Sequence, residues 1–588
     1  MIVPMKKVHI ILQYKDRDEA IRTLARLGVV HIEQQPTIQT EDIKRIEDQI
    51  LLINTALAVL SKRYNHLKPE QIEQKPVSDW HRLCQHLIDC EKRLEQLEEY
   101  GRSLRSTYET WKPWGDFDPQ IISQLEKKSI YVHFYQIPVA FLKNLPENLI
   151  VQVVFQRAGL AYCVVIAREK VALNFEEKTA PKMSLRQMEK RLAIDEHTIE
   201  NIKKEIISHL THLQALKEKK HFLEKELELY KAANSMRQQA ELAYLVGYAP
   251  FDTEALLLES ARKNCWAIVI TEPEQTDAVP TLIRNPRWIA LIEPIFKFLD
   301  ILPGYRELDI SLVFLVFFSI FFGILIGDAG IGLCFLVLNF WAHKKFIKRL
   351  GSSQLFILFY ILSFCAIVWG ILSGTIFGQA WLAKSLRPLL PQLRNDATVQ
   401  SLCFFLGALH LSIGHLWRAV LKAPSLEALS DIGWICILWA AFFLARYLVA
   451  GLSLEQSVLI LFIVGSSLVI IFGARRRNIL RGIGAGLGNY LLSVVNSFTD
   501  VVSYIRLFAV GLATVAVADA FNAMAADIGF SSFGSAILTA LILAVGHGLN
   551  ILLGPMSVLV HGVRLNVLEF CNHIDIKWSG FAYRPLRQ

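Results

Sequence analysis

The stretch Thr499-Asp-Val-Val-Ser-Tyr-Ile-Arg-Leu-Phe-Ala-Val-Gly-Leu-Ala513 lies within an apolar run that is long enough to cross a bilayer. Its arginine, Arg506, would lie near the middle of a spanning helix, where a cation costs roughly 2.5 to 3.5 kcal/mol on insertion scales. A charged residue in that position is by default expected to have a function. The stretch therefore predicts a membrane protein in which Arg506 has a function of its own.

Charge is divided unequally between the two halves of the chain. The 588 residues are 53% hydrophobic and carry a net charge of +8. Residues 311 to 588 hold 10 acidic and 19 basic side chains, whereas residues 1 to 310 hold 44 and 43. The basic excess belongs to the apolar half, which indicates a role in membrane topology and argues against nucleic acid as a partner.

Several other classes of protein are disfavoured by the sequence. The first residues, Met-Ile-Val-Pro-Met-Lys-Lys, lack the apolar core and cleavage site of a signal peptide, so we expect the first half to stay in the cytoplasm. The nine cysteines form no CxxC pair, so no disulfide framework, zinc site or cofactor is indicated. Glycine is never followed by lysine, so a Walker A loop is absent and we expect no nucleotide hydrolysis by this chain itself.

The first half reads as two α/β lobes joined by an antiparallel coiled coil. A strand at 6–13, a helix at 16–27 that stops at Gly28, and a strand at 29–33 form one βαβ unit, and a second pattern of this kind runs from 244 to 270. Heptad spacing predicts coiled-coil helices at about 41–110 and 183–235. We predict a cytoplasmic arm at 1–295, a linker at 296–310 and a membrane domain at 311–588. Long helices in a globular core are the alternative for the heptads.

The second half reads as an α-helical domain with eight transmembrane helices. The first apolar run, 311–340, would be about 45 Å long as one helix, more than a hydrocarbon core of about 30 Å. Gly327, Asp328 and Gly330 interrupt it, so a helical hairpin with its turn at these residues is predicted. Six further runs give eight spans with both termini in the cytoplasm, because the basic clusters then fall mostly inside: 343–349, 418–422, 475–481 and 577–587.

The last two spans are longer than a bilayer requires and carry polar stripes. Ser503 and Arg506 share a face on the seventh. On the eighth, an α-helical projection places four polar side chains on one face, with Glu569 near its cytoplasmic end: Asn550, Ser557, His561 and Arg564. The two arginines have plainer interpretations. Arg506 could pair with Asp500 or Asp519, and Arg564 could snorkel, with its charged end at the membrane surface. Asp328 could simply cap a helix, and His410, His415 and His547 could be packed and hydrogen-bonded.

Four motifs together resemble the a subunit of V-type and archaeal-type rotary ATPases, called subunit I in bacteria. They are Ser503-Tyr-Ile-Arg-Leu-Phe-Ala-Val-Gly-Leu-Ala513, Gly327-Asp-Ala-Gly-Ile-Gly332, Pro280-Thr-Leu-Ile-Arg-Asn-Pro286 with Tyr305-Arg-Glu-Leu-Asp309, and His561-Gly-Val-Arg-Leu-Asn-Val-Leu-Glu569. The resemblance covers essentially the whole chain.

The resemblance implies a stator subunit in the inner membrane of a prokaryote. Its arm would bind peripheral-stalk E/G-type subunits, and its other implied partners are a central-stalk d/C-type subunit and a ring of K/c proteolipids. Arg506 would meet the ring's ion-binding carboxylate between two aqueous half-channels, and the polar residues of the eighth helix would line one of them. The complex would move protons or sodium ions and couple them to ATP; the sequence leaves open which ion and which direction.

This chain departs from the family pattern at two positions. Eukaryotic members carry histidine eight residues after the key arginine and glutamate ten residues before the second, where this chain has Thr514 and Gly554. The channel roles of that histidine and that glutamate therefore cannot be assigned to Thr514 and Gly554. Glu569 or ordered water would have to take these roles. Two other classes remain open: a membrane-anchored coiled-coil sensor or scaffold, and a secondary transporter.

Overall fold

A computed structural model describes most of the chain in two compact units. The described residues are 1–33, 40–64, 75–144, 146, 149–157, 159–169, 171, 173–378, 388–451, 453–454, 456–473 and 483–587. One unit, the membrane unit, comprises Met1–Val8, Tyr248–Glu259 and Val269–Arg584. The other, the arm unit, comprises His9–Gly247, Ser260–Ile268 and Pro585–Gln588. The basic run 475–481, used above for topology, lies outside the described residues.

The βαβ unit predicted at the start of the chain is present. Strand β1 covers Met5–Gln13, helix α1 covers Arg17–Leu27 and strand β2 is reduced to His31–Ile32. Gly28 ends α1 as predicted, in the left-handed region at φ 63°, where glycine has no Cβ to clash. The later strands are β3–β9: Tyr131–Pro138, Ile150–Arg157, Leu160–Ala167, Glu176–Lys178, Arg237–Gln239, Leu242–Pro250 and Ala267–Thr271.

These strands form two sheets. The five-stranded sheet has the order β2-β8-β1-β9, with β7 added to β8. The four-stranded sheet has the order β4-β5-β3-β6, and its β3/β5, β3/β6 and β4/β5 pairs are antiparallel. In β5 every second side chain is buried, the period that a half-buried strand requires.

The long helices of the arm unit lie where the heptads predict them. They are α2 at Glu41–Tyr64, α3 at Trp80–Trp111, α5 at Leu185–Ser208 and α6 at Leu213–Asn234; the short α4 is Pro119–Glu126. Their apolar seams meet in one core, which includes Ile46, Ile53, Leu87 and Leu216. The side chain of Asp79 caps α3, and Ser184 and Gln187 form a capping box at the start of α5. The coiled-coil linkage of two separate lobes stays a prediction.

The membrane unit contains several helices of membrane-spanning character. Among the described residues, five helices are long and apolar enough to cross a membrane, or six when a bent pair is counted as one span. After α7 (Glu254–Lys263) and α8 (Glu293–Leu299), the helices of this part are α9–α17: Ser311–Ile326, Ala329–Leu350, Gln354–Ser373, Asp396–Lys422, Ala428–Ala450, Ser457–Gly473, Ile483–Ser503, Ile505–Ile528 and Phe533–Ser557. The eight-span topology is finer than this finding and stays a prediction.

The bent pair is the region where the sequence predicts a hairpin turn. Helices α9 and α10 meet at 120°. Gly327 ends α9 at φ 68°, and the Asp328 side chain then caps α10 by accepting hydrogen bonds from the backbone N–H groups of Gly330 (2.7 Å) and Ile331 (3.0 Å). The same carboxylate also accepts from the N–H groups of Phe377 and Gly378, at 2.9 Å each. Asp328 is fully buried, so it fixes this turn to the segment that follows α11.

The last two membrane segments are each 41 residues long, Gly488–Ile528 and Phe533–His573. The first contains a break at Tyr504, between α15 and α16. The second continues from α17 into two π-helical segments, Val558–Gly562 and Leu565–Phe570, and ends in the short α18 at Cys571–His573. A π-helix has more than 3.6 residues per turn. The α-helical period used to group the polar residues of this segment therefore does not apply beyond Ser557, and their shared face stays a prediction.

Candidate functional site

Arg506 lies in the first turn of α16, directly after the break at Tyr504. Its Nη1 donates to Oε1 of Glu569 at 2.9 Å, and its Nη2 donates to the hydroxyl of Ser503 at 3.1 Å. About a quarter of the Arg506 side chain is exposed, 26%. The arginine is thus neutralised on one side and accessible on the other.

Glu569 is the acid at the centre of the site. Its side chain is 5% exposed, and Oε1 also lies 3.4 Å from Nε of Arg564. Its second oxygen, Oε2, is buried and accepts no hydrogen bond from the described residues. One carboxylate therefore faces two guanidinium groups, and the site keeps a net positive charge together with an unused acceptor.

The plainer interpretation of Arg506, a pairing with Asp500 or Asp519, is not what the structure shows. Asp500 lies 3.1 Å from His573, and Arg506 pairs with Glu569, which is 63 residues away in the chain. Sequence reasoning placed Glu569 near the cytoplasmic end of the last span as a possible channel acid. It did not foresee the contact with Arg506, because helix spacing says nothing about which distant side chain lies opposite.

The four polar residues predicted to share one face differ in exposure. Asn550 is buried and donates to the backbone oxygen of Thr514 at 3.1 Å, so it ties α17 to α16. Ser557 and His561 are half-buried, and the Arg564 side chain is 52% exposed. Asn550 and Ser557 lie in α17, whereas two π-helical segments cover Val558–Gly562 and Leu565–Phe570, so an α-helical period does not relate all four positions.

The two positions that depart from the family pattern lie beside the α9–α10 turn. The Thr514 hydroxyl donates to the backbone oxygen of Val510 at 3.0 Å and approaches that of Leu325 at 3.4 Å. A Cβ added at Gly554 would come within 2.8 Å of Cδ1 of Ile326. One helical turn from Arg506, Gly511 lets α16 approach so closely that an added Cβ would lie 2.5 Å from the backbone oxygen of Ile324.

A second polar cluster in the membrane unit was missed by the sequence analysis. His573 Nε2 lies 3.1 Å from Asp500 Oδ2, and His573 Nδ1 lies 2.9 Å from His415 Nε2. His415 Nδ1 lies 3.2 Å from Asp431 Oδ1. Four titratable side chains therefore form one hydrogen-bonded chain, which we call the His–Asp chain.

Cations close one end of the His–Asp chain. Lys422 Nζ lies 2.6 Å from Oδ2 of Asp431, and Arg418 Nε lies 3.4 Å from Oδ1. Arg418 also donates to the backbone oxygen of His573 at 2.8 Å and pairs with Asp575 at 2.9 Å. The only local sequence signal for this site is that His415 and Arg418 lie three residues apart on one helix. Asp500, Asp431 and His573 belong to three other segments.

The other two membrane histidines are packed. His410 is fully buried between the rings of Phe317 and Phe570, with centroid distances of 3.9 Å and 4.3 Å, and its Nδ1 contacts the Tyr504 hydroxyl at 2.8 Å. His547 Nε2 contacts Asn522 at 3.1 Å. The hydrogen bond to Tyr504 fixes the residue at the helix break, so His410 positions the backbone that presents Arg506.

A possible metal-ligand set lies in the arm unit, away from these membrane residues in sequence. Donor atoms of His86, Cys90 and Glu205 lie within 4.8 Å of one another. The sequence alone indicated no such cluster, because Glu205 comes from a helix more than a hundred residues further along the chain.

Comparison with known proteins gives relatives over the full length of the chain. It is 30% identical over 642 residues to V-type ATP synthase subunit I 1 of Treponema pallidum and 29% identical over 616 residues to V-type ATP synthase subunit I of Borreliella burgdorferi, with 100% of both chains covered in each case. A-type ATP synthase subunit I of Methanocaldococcus jannaschii is 25% identical over 369 residues, covering 56% of this chain and 52% of that one.

The other two comparisons add little. No family model matches the chain. Among solved structures, the cytoplasmic N-terminal domain of a subunit I homologous to subunit a of V-ATPase covers 45% of this chain and 99% of that one, with 13% identity and a TM-score of 0.21.

Proposed function

The chain belongs to the family of V-type and A-type ATP synthase subunit I, and from this membership we propose that it is the stator subunit that couples ion movement to rotation. Its Arg506 meets the ion-binding carboxylate of a ring of small K/c proteolipids, and the ion enters and leaves through two half-channels. The observation that carries this proposal is the site itself: a partly exposed arginine within a span, held from behind by Ser503 and by a buried acid, Glu569.

The chemistry requires a permanent cation. A ring carboxylate can face lipid only when a proton or a metal ion neutralises it, and it must lose that ion before it binds another. A guanidinium group favours the ionised carboxylate and, unlike a buried ammonium group, does not lose its proton. Arg506 therefore promotes release of the ion and prevents direct leakage between the half-channels.

Glu569 explains how such a cation is tolerated. It neutralises part of the charge of Arg506 and Arg564 from the buried side, and so lowers the cost of the two cations in an apolar domain. Its unused oxygen Oε2 offers an acceptor within the site. In place of the histidine and glutamate that this chain lacks at Thr514 and Gly554, we assign ion handling to Glu569, His561, Ser557 and Asn550.

The remaining assignments follow from the same family role. Residues 1–295 form the cytoplasmic arm that binds the peripheral-stalk E/G-type subunits, and 311–588 form the membrane domain with eight spans, linked by 296–310. A central-stalk d/C-type subunit is a further partner. Both termini are cytoplasmic in a prokaryotic cell membrane. Nucleotide hydrolysis belongs to other subunits of the complex, and replacing Arg506 in that complex is the experiment that tests the function.

The half-channel assignment of the last segment predicts a pattern of cysteine reactivity. We expect Ser557→Cys and His561→Cys to react with a small hydrophilic thiol reagent, because water in the proposed half-channel would contact both side chains. The matched control is Leu559→Cys, because Leu559 packs against the apolar core and should be protected. Labelling is measured by mass spectrometry in the assembled complex, as the gain over wild type. Equal protection at all three positions would remove the half-channel from this segment.

A further inference from the structure

The hydrogens of the His–Asp chain can be counted from its geometry. The chain contains three contacts between nitrogen or oxygen atoms, at 3.1, 2.9 and 3.2 Å, and both ring nitrogens of His415 and His573 take part. Each contact needs one hydrogen, whereas two neutral imidazoles supply only two N–H groups. With both carboxylates ionised, the chain must hold one further proton.

The surroundings fit a chain that carries this proton. Lys422 and Arg418 favour the ionised form of Asp431, and Asp575 offsets Arg418. Trp434 stacks on His415 at 6.2 Å, and His410 lies on the same helix within its aromatic sandwich. Asp431, Asp500 and Asp575 carry three negative charges against the two positive charges of Lys422 and Arg418, so one additional proton makes this set of groups neutral.

The chain is open at only one end. The side chains of Asp431, His415 and His573 are 2%, 5% and 7% exposed, whereas that of Asp500 is 22% exposed. Asp500 lies six residues before Arg506, on the other side of the break at Tyr504. Protons are thus exchanged at Asp500, the end of the His–Asp chain that lies on the same membrane segment as Arg506.

We propose that the His–Asp chain is a buried one-proton store that serves the Arg506 site, which makes the proton the coupled ion. This inference rests on the proposed function. In the loaded state both nitrogens of His415 carry hydrogen; its Nε2 proton moves to Nδ1 of His573, and the Nε2 proton of His573 moves to Oδ2 of Asp500. The neutral Asp500 releases that proton to water or to the half-channel. Only N–H and O–H bonds are exchanged, and no oxidant or reductant is needed.

The empty state explains why the store refills. After release, Asp500 Oδ2 and His573 Nε2 face each other without a hydrogen between them, and two acceptors at about 3 Å repel. A proton that arrives at Asp500 restores the contact, and the two transfers then run in reverse. The store consequently takes up and delivers protons through one carboxylate.

The test uses the assembled complex in inverted membrane vesicles, with ATP-driven acidification measured as a function of pH. We expect His573→Gln and His415→Gln to lower the maximal rate of acidification by about tenfold, because glutamine can hydrogen-bond but cannot accept and pass a proton. Asp500→Asn should have the same effect and replaces the histidine variants if they fail to assemble. His547→Gln, a membrane histidine outside the chain, is the control and should pump like wild type.

A double variant separates a proton store from a merely structural network. Because the stored proton needs both imidazoles, one substitution already removes it, so His415→Gln/His573→Gln should be no slower than either single variant, and all three should lose the pH profile of the wild type. Wild-type rates and an unchanged pH profile in assembled variants, or a requirement for sodium, would overturn the store. Failure of the proposed function is distinguishable, since it would appear as coupled pumping in Arg506→Gln with the histidines intact.

A second inference concerns the arm unit and is independent of the membrane site. His86 and Cys90 lie four residues apart on α3, so their side chains share one face. Glu205 and His209 are also four residues apart, at the end of α5, which packs beside α3. His86 Nε2 lies 2.9 Å from Glu205 Oε1 and 3.6 Å from Cys90 Sγ, and the His86 and His209 rings meet edge to face at 5.7 Å.

The geometry points to a zinc site that joins α3 to α5. Cysteine sulfur, imidazole nitrogen and carboxylate oxygen are the ligands that zinc uses in proteins. His86, Cys90 and Glu205 supply three of them, and a water molecule fills the fourth position, as in zinc sites with three protein ligands. Since His86 and Glu205 are about half-exposed, the ion can enter from solvent.

Zinc and cobalt binding to the detergent-solubilised full-length chain tests this site. We expect one Zn²⁺ per chain by elemental analysis after dialysis, and a tetrahedral cobalt spectrum with a thiolate charge-transfer band when Co²⁺ replaces zinc. Cys90→Ser and His86→Ala should lose the ion and the band, whereas Cys265→Ser, an exposed cysteine elsewhere in the arm unit, should retain both. No bound ion in wild type, or binding that survives Cys90→Ser, would overturn the site.

Discussion

Replacing Arg506 by Gln is expected to abolish ion-coupled ATP hydrolysis and synthesis while the complex still assembles. Glutamine can accept or donate a hydrogen bond but carries no charge, so it cannot favour the ionised form of a ring carboxylate. Arg506→Lys should be severely impaired as well, because a buried ammonium group can deprotonate and does not reproduce the planar geometry of guanidinium. The measurement is ATP-driven ion uptake and inhibitor-sensitive ATP hydrolysis in membrane vesicles, normalised to the amount of assembled complex.

The matched control for this substitution is Arg446→Gln. Arg446 is also an arginine in the apolar half, but it lies over the ring of Phe442 at 5.4 Å, far along the chain from the Arg506 motif. We expect it to retain coupled activity. Full coupling in Arg506→Gln would contradict the mechanism, whatever the control shows.

Glu569→Ala is expected to have the second largest effect, on assembly as well as on coupling. The substitution leaves Arg506 and Arg564 facing each other without the carboxylate that both contact. Removing one partner of a buried hydrogen-bonded charge pair typically costs about 1–3 kcal/mol or more, and the exposure of Arg506 and Arg564 argues for the lower part of that range. The yield of complex and its thermal unfolding temperature measure the loss.

A double substitution separates the structural role of Glu569 from its role in ion movement. Arg506→Gln/Glu569→Gln removes a cation and an anion together, so we expect stability to recover toward wild type while coupling stays absent. Glu569→Gln alone keeps an acceptor for Arg506 and should assemble better than Glu569→Ala. If Glu569→Ala assembled and pumped like wild type, the contact between Glu569 and the two arginines would not be required for assembly or coupling.

The pairing with Glu569 leaves Arg506 free to contact a second carboxylate. One side of the guanidinium group contacts Glu569, and the other side is accessible. A carboxylate that approaches the accessible side does not have to displace Glu569, because the guanidinium group has five donors. Under the proposed function, the arginine can therefore stay bound to Glu569 while successive ring subunits pass.

Local sequence patterns were sufficient for much of the architecture. The glycine stop at Gly28, the interruption at Gly327 and Asp328, and the seams of the four long arm helices follow from backbone conformation and from periodicity over a few turns. The prediction that Arg506 has a function also follows from the sequence, since a charge within an apolar run is costly wherever it folds.

Contacts between distant segments could not be read in the same way. The two π-helical segments after Ser557 interrupt the α-helical period, and nothing in the sequence pattern signals them. Asp328 was predicted at the hairpin turn, with helix capping as its plainer role, yet it also binds the N–H groups of Phe377 and Gly378, about fifty residues away. Such contacts depend on which helices become neighbours.

The sequence by itself therefore determined that this chain has an apolar, arginine-bearing half and a charged half of long helices, because hydropathy and periodicity act over neighbouring residues. Only the tertiary structure decided that Glu569 faces Arg506, that Asp500, His573, His415 and Asp431 form one hydrogen-bonded chain, and that His86 and Cys90 meet Glu205. The physical reason is that hydrogen bonds and ion pairs require atoms within about 3–4 Å. Packing of whole helices sets those distances, and residues far apart in sequence meet only when the helices do.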